Sequence, residues 1–256
     1  MSENFFLTLV ILLGLTGTCH AAHPLITDDT GTQGKGKFQL ETSVTWMSDK
    51  ANVNSGGERE IESLATAVFA AGVAEALDVM VTVPYLWTEL KEAGTSTKVR
   101  GFSDLVAEVK WRFYEQEKLS LAIKPGMLLP TGDDEKGLGT GHYGFTAFFI
   151  TTYEAEPWGF DVNFGYLHLE NRVQEHVTRW FASAAARCKV SEHWKIVGET
   201  GAASNPDATD SSHPAFVQLG LIFSPKDNLD LSAGYVFGLS DAEIDSAIRA
   251  GVSIRF

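Results

Sequence analysis

After residue 36 the chain settles into segments that alternate apolar and polar residues with period two, the mark of strands carrying one apolar face. In 37–48, Phe38, Leu40, Val44 and Trp46 share one face, and Gln39, Glu41, Ser43 and Thr45 share the other. Leu77, Val79, Val81, Val83, Tyr85 and Trp87 stand against Asp78, Thr82 and Thr88, and Leu105, Ala107, Val109, Trp111 and Phe113 against Val106, Glu108, Lys110, Arg112 and Tyr114. The same pattern places Trp158, Phe160, Val162, Phe164 and Tyr166 opposite Gly159, Asp161, Asn163 and Gly165. At the end, Ile248, Ala250, Val252, Ile254 and Phe256 oppose Arg249, Gly251, Ser253 and Arg255. The spacing predicts strands near 37–48, 58–71, 77–88, 102–114, 119–130, 142–153, 158–169, 178–190, 194–200, 215–223, 229–237 and 247–256. The second and eighth are rich in alanine and also compatible with helix.

The intervals between these strands alternate in length. Long polar stretches (49–57, 89–101, 131–141, 170–177, 201–214, 238–246) alternate with short ones (72–76, 115–118, 154–157, 191–193, 224–228). A barrel in an outer membrane has that asymmetry, with long loops outside and tight turns in the periplasm, and an even strand number leaves both chain ends on the periplasmic side. Alternation alone also fits a soluble barrel with its apolar face inward. The aromatics near strand ends (Trp46, Tyr85, Trp111, Tyr153, Trp158, Tyr166, Trp180, Trp194, Tyr235) favour lipid, because membrane interfaces select them. The expected fold is all-β: a transmembrane antiparallel up-and-down β-barrel of about twelve strands. In hydrocarbon an open strand edge is too costly to persist, so 37–48 and 247–256 are predicted neighbours.

Composition narrows the remaining choices. No apolar run in the 256 residues is long enough for a membrane helix. A formal net charge of -13 argues against nucleic acid, whose phosphates need a basic surface. Residues 1–22 read as a signal peptide: Phe5–Leu15 is its apolar core and the small residues up to Ala22 its cleavage region, although Glu3 stands where a basic residue is usual. Residues 23–36 are then an expected periplasmic amino-terminal segment, with the lumen as its alternative location, and 37–256 the barrel. Cys19 falls in the leader, so Cys188 has no intrachain disulfide partner after cleavage.

The polar strand face holds the candidate functional residues. If it lines a lumen, Glu108, Lys110, Arg112, Arg187, Lys189, Arg249 and Arg255 bring both signs of charge into one channel. Such mixtures set pore selectivity, or pair with each other and plug a modest interior. No metal site is expected, because the seven histidines show no ligand spacing. His23 as a new amino terminus is the weak exception, a potential copper chelator. Asp133, Asp134 and Glu135 lack the spaced ligands of a calcium loop. Gly137–Gly141 leads into a strand without a following Lys-Ser/Thr and reads as turn glycine. His168 with Ser183 is the one pair that a barrel hydrolase could use.

His23-Pro24-Leu25-Ile26-Thr27-Asp28-Asp29-Thr30-Gly31-Thr32-Gln33-Gly34-Lys35-Gly36 resembles the start of the outer-membrane "transporter" family named for the MetA pathway of phenol degradation. Leu77-Asp78-Val79, Val83-Pro84-Tyr85, Gly101-Phe102-Ser103-Asp104, Leu129-Pro130-Thr131-Gly132-Asp133 and Gly137-Leu138-Gly139-Thr140-Gly141 resemble its next landmarks. The resemblance implies residence in the outer membrane of a Gram-negative bacterium and a channel or transporter for small organic molecules, aromatic or hydrophobic ones among them. A plugged structural barrel and a barrel hydrolase are the alternatives. The leading expectation is a non-enzyme without cofactors, whose partners are outer-membrane lipids, a small-molecule cargo, and the barrel-assembly machinery through the carboxyl-terminal strand ending in Phe256.

Overall fold

The computed structural model describes residues 24–50, 59–92, 95–171 and 175–256. The leader at 1–22, with Cys19 and His20, and also His23 lie outside them.

The strands run in chain order as β1 (Phe38–Lys50), β2 (Arg59–Ala74), β3 (Leu77–Glu92), β4 (Thr95–Phe102), β5 (Leu105–Gln116), β6 (Leu119–Leu129), β7 (Gly144–Ala155), β8 (Trp158–Leu169), β9 (Thr178–Lys189), β10 (Trp194–Ala203), β11 (Ala215–Lys226), β12 (Leu229–Gly238) and β13 (Ser246–Arg255). Each described pairing is antiparallel and joins chain neighbours, except that β3 also pairs with β5 past β4 and that β1 pairs with β13, from Gln39↔Arg255 to Ser48↔Ser246. That pairing closes the ring. Thirteen strands make a closed barrel of 12 staves, because β4 and β5 share one. β3 pairs with β5 over Leu77–Thr82 and with β4 over Tyr85–Glu92, and the stave breaks at Ser103-Asp104.

One expectation from the sequence is corrected here. The stretch 89–101 is not a loop, since β3 continues to Glu92 and β4 begins at Thr95. A ladder that rises past the lipid has no greasy side to mark it, so its sequence loses the alternation. The alanine-rich second and eighth segments are strands, because each pairs on both sides with strands whose register leaves no room for a helix.

The apolar face points outward. Phe164 is 57 % exposed while its neighbour Asn163 is 1 % exposed, and the same inversion repeats around the ring. A water-soluble barrel would reverse it. The exposed belt includes Phe69, Val81, Trp111, Phe149, Phe160, Val162, Ile196, Leu221 and Ile248. It is a surface for hydrocarbon, where only a closed ladder leaves no backbone group unpaired.

Candidate functional site

Inside the barrel, β1, β3, β6, β8, β10 and β12 run from the end with short turns to the end with long loops, and their neighbours run back. Each inward residue therefore has a known depth. The layer toward the long loops is apolar: Leu64, Leu86, Val106, Leu128, Phe148, Ile150, Leu167, Phe181, Phe216 and Val236 form one cluster, joined from the loops by Leu138 and Ile244. Leu138 is delivered by the loop 131–141. That loop is pinned to the break in the fourth stave, where buried Asp104 accepts the N–H of Gly132 at 2.8 Å, the N–H of Thr140 at 2.7 Å and the Thr140 hydroxyl at 2.9 Å.

The layer below is polar, and residues 24–33 cross it. They lie in the lumen and not in the periplasm, which corrects the first-choice location for 23–36 over the described part. The physical reason is hydrogen bonding: a segment without secondary structure satisfies its backbone on inward side chains. Gln218 of β11 donates Nε2 to the Pro24 carbonyl at 2.7 Å. Glu199 of β10 accepts the Ile26 N–H at 2.8 and 3.0 Å and the Thr27 N–H at 2.8 Å. Asn163 of β8 grips Asp28 at both ends of its backbone, accepting from its N–H at 2.9 Å and donating to its carbonyl at 2.7 Å. The Thr30 N–H donates to Thr152 of β7 at 3.0 Å, and the Gln33 N–H to the Asp78 carboxylate of β3 at 3.0 and 3.1 Å. At its other end the segment leaves along β2, where Gly36 donates to the Gly72 carbonyl at 2.8 Å. A Cβ on Gly72 would lie 1.9 Å from the carbonyl oxygen of Gly34, so only glycine lets the segment pass there.

Asp28, fully buried, is the electrostatic centre. Lys110 donates to its Oδ1 at 2.8 Å and Lys124 to its Oδ2 at 2.9 Å. Lys110 also donates to the carbonyls of Asp29 and Gly31 at 3.0 and 3.3 Å, while Lys124 lies 3.7 Å from Glu108 and 5.4 Å from the centre of the Phe148 ring. Two carboxylates and two ammonium groups thus balance in a buried site.

The seven charged candidates from the sequence divide by depth. Glu108, Lys110 and Arg249 are buried in the lumen, Arg249 lying 4.0 Å from Glu199. Arg187 is lower, bound to Asp161 at 2.7 Å and Glu154 at 2.8 Å. Arg112, Lys189 and Arg255 reach the periplasmic rim, where Arg112 pairs with Glu115 at 3.2 Å and Arg255 with Asp230. Asp28, Lys124, Glu199 and Gln218 were not singled out beforehand, and Asn163 only as one residue of the polar face. Strand parity could have found all but Asp28.

Between the crossing segment and the wall of β1, β2, β3 and β13 lies a cavity of about 530 Å³, lined among others by Lys110, Gln33, Glu41, Asp78, Arg255 and Phe256. It is the periplasmic vestibule of the lumen.

The other candidate chemistries are not assembled. His168 faces outward, 3.4 Å from Thr178, while Ser183 faces the lumen beside Thr27, so the two cannot form a nucleophile–base pair. Asp133 caps the short 3-10 turn Asp134–Lys136 and pairs with Lys136 at 2.5 Å. The Lys136 partnership holds the Asp133 carboxyl below the usual carboxylate range. Among the described residues no group of three or more His, Cys, Asp or Glu side chains is placed to hold a metal ion.

The family model described as "Putative MetA-pathway of phenol degradation" matches residues 27–256. Among solved structures, the COG4313 outer membrane channel from Pseudomonas putida F1 is similar at a TM-score of 0.71 and 11% identity, covering 89% of this chain and 98% of that one. The KdgM porin is similar at 0.58 and 7%, covering 85% and 99%. The translocator domain of the autotransporter NalP from Neisseria meningitidis is similar at 0.55 and 13%, covering 89% and 91%. At these identities the likeness is one of fold. No curated protein matches the chain in sequence.

Proposed function

This chain belongs to the family of the MetA pathway of phenol degradation, and from that premise we propose that it is an outer-membrane channel for small organic molecules of hydrophobic or aromatic character. The observation that carries this reading is the apolar layer of the lumen. A passage for sugars or salts would be lined with polar groups throughout, whereas here Phe148, Phe181, Phe216 and their aliphatic neighbours fill the outer half. The lower half is closed at rest by residues 24–33 and leads to the vestibule. Export by the leader 1–22, residence among outer-membrane lipids and recognition of β13 by the assembly machinery belong to the same reading.

The filled lumen is the observation that favours the rival, a structural barrel. Intact cells with and without the chain, exposed to a hydrophobic fluorescent aromatic dye, separate the two. The channel predicts faster dye entry and unchanged sucrose entry. Equal dye entry would leave the structural barrel.

A further inference from the structure

We propose that Lys110 and Lys124 form a binding site for a small organic carboxylate with an apolar body, and that Asp28 occupies it at rest as a tethered stand-in for that ligand. The substrate class refines the channel reading and rests on it, although binding itself does not require transport.

The geometry of the pair is that of a carboxylate receptor. The two ammonium groups come from adjacent strands of the rigid wall and meet the two oxygens of one carboxylate, at 2.8 and 2.9 Å. That carboxylate belongs to no strand of the wall: Asp28 lies 82 residues from Lys110 and 96 from Lys124, on a segment without strand or helix that side-chain hydrogen bonds hold in place. The lysines are part of the barrel ladder, whereas the anion is held to it by side-chain hydrogen bonds and ion pairs alone.

The surroundings define the rest of the ligand. Lys124 sits beside the Phe148 ring, at the lower boundary of the apolar layer that includes Ile150 and Ile26. A carboxylate bound at the lysines can therefore turn an apolar body toward that layer. Lys110 also lines the vestibule of about 530 Å³, which is in the range of small-molecule pockets and gives a route to the pair. The cavity wall carries both signs of charge, Glu41 and Asp78 against Lys37 and Arg255, so the wall by itself does not retain a simple ion.

Competition with a tethered group sets the affinity. A carboxylate attached to the barrel acts at high effective concentration, so a bare carboxylate competes poorly. Burial of the ligand's apolar body, at roughly 25 cal/mol per Å², supplies the difference, and an aromatic carboxylate is expected to surpass acetate by about tenfold or more. Binding then expels Asp28 and loosens residues 24–33, which couples arrival of the ligand to opening of the lower lumen.

The test uses the whole exported protein in detergent, with Cys188 replaced by serine and a spin label at Thr32→Cys, a half-buried site on the vestibule wall. Benzoate is expected to mobilise the label, acetate to do so only at about tenfold higher concentration or above, and benzyl alcohol to leave it unchanged. Asp28→Asn, read by calorimetric titration and therefore independent of the label, is expected to tighten benzoate binding by about tenfold or more, because the rival is gone. A label that ignores benzoate, or answers benzyl alcohol equally, overturns the proposal, as does an Asp28→Asn protein that binds benzoate no better. Dye entry without any response to benzoate removes this site and keeps the channel. A response to benzoate without dye entry does the reverse.

Discussion

Toward the outside the lumen is filled by the barrel's own side chains, with Leu138 and Ile244 folded in from the loops; toward the periplasm it is filled by residues 24–33, held by inward polar groups of most of the wall. The apolar layer is cohesive but undirected, since dispersion and burial reward any shape that fits. The polar layer is directed. Asn163, Glu199 and Gln218 each accept or offer hydrogen bonds at one place on the segment, and Asp28 meets two lysines at once. The difference teaches where the barrel can change state. An apolar layer can repack around a lost group, whereas a segment held by ion pairs and hydrogen bonds loses a specific partner when one is removed.

Lys124→Met is the severest test of that contrast. It removes the cation that Asp28 and Glu108 share at a buried place. Breaking a buried pair in this way costs about 3–5 kcal/mol. Urea unfolding in lipid vesicles should show a loss of that size, together with faster hydrogen exchange of the Ile26, Thr27 and Asp28 amides. Unchanged exchange there would mean that charge does not hold the segment.

Ile150→Ala makes the matching cut in the other layer. Ile150 is fully buried at the lower edge of the apolar cluster, paired in the ladder with Ala122 and Asn163, and its truncation should cost about 2–5 kcal/mol through lost burial and a cavity. Here the segment should stay seated, with its amides as protected as in the parent. If Ile150→Ala frees the segment as Lys124→Met does, the two layers are one cooperative unit and the contrast fails.

Asp104→Asn probes the clip that brings Leu138 into the outer layer. The carboxylate accepts three hydrogen bonds from the loop 131–141, and an amide oxygen can retain only part of them. The expected cost is about 1–3 kcal/mol, read as faster exchange of the Gly132 and Thr140 amides while the lower half is unaffected.

How much of this was legible beforehand follows the same division. The wall was legible because lipid on one side and a filled lumen on the other force every second residue to differ, so parity gave both strand and facing for Glu108, Lys110 and Arg249. Depth was not legible: Arg112, Lys189 and Arg255 have the same parity but stand at strand ends, where they meet the rim. The hairpin of β3 and β4 was hidden because its upper part has left the lipid. Asp28 was hidden most completely. It lies on a segment with no periodicity, and its partners are a long way along the chain, brought near only when the ring closes.

The smallest expected effect lies at the tip of the loop that carries Leu138. Asp133 accepts the Lys136 N–H at 3.3 Å and pairs with its ammonium group, a partnership that lowers the carboxyl's pKa and raises that of Lys136. A carboxylate depressed in the folded state stabilises the fold above its ordinary pKa, and that contribution disappears as pH falls through the depressed value. From neutral pH down to the ordinary carboxylate range the turn should therefore hold, and loosen only below it. Both groups are exposed, so salt should weaken the effect further. Exchange of the Gly137 and Leu138 amides, followed against pH and corrected for the intrinsic rate, checks this, and Asp133→Ala should abolish the acid step. The informative comparison is with the amides of residues 26–28 in the same samples. If acid loosens the turn and leaves those amides unchanged, Leu138 can stir in the outer layer without disturbing the segment below. If both loosen together in the parent and neither does so in Asp133→Ala, the outer loops control the seating of residues 24–33, and the two halves of the lumen do not act separately.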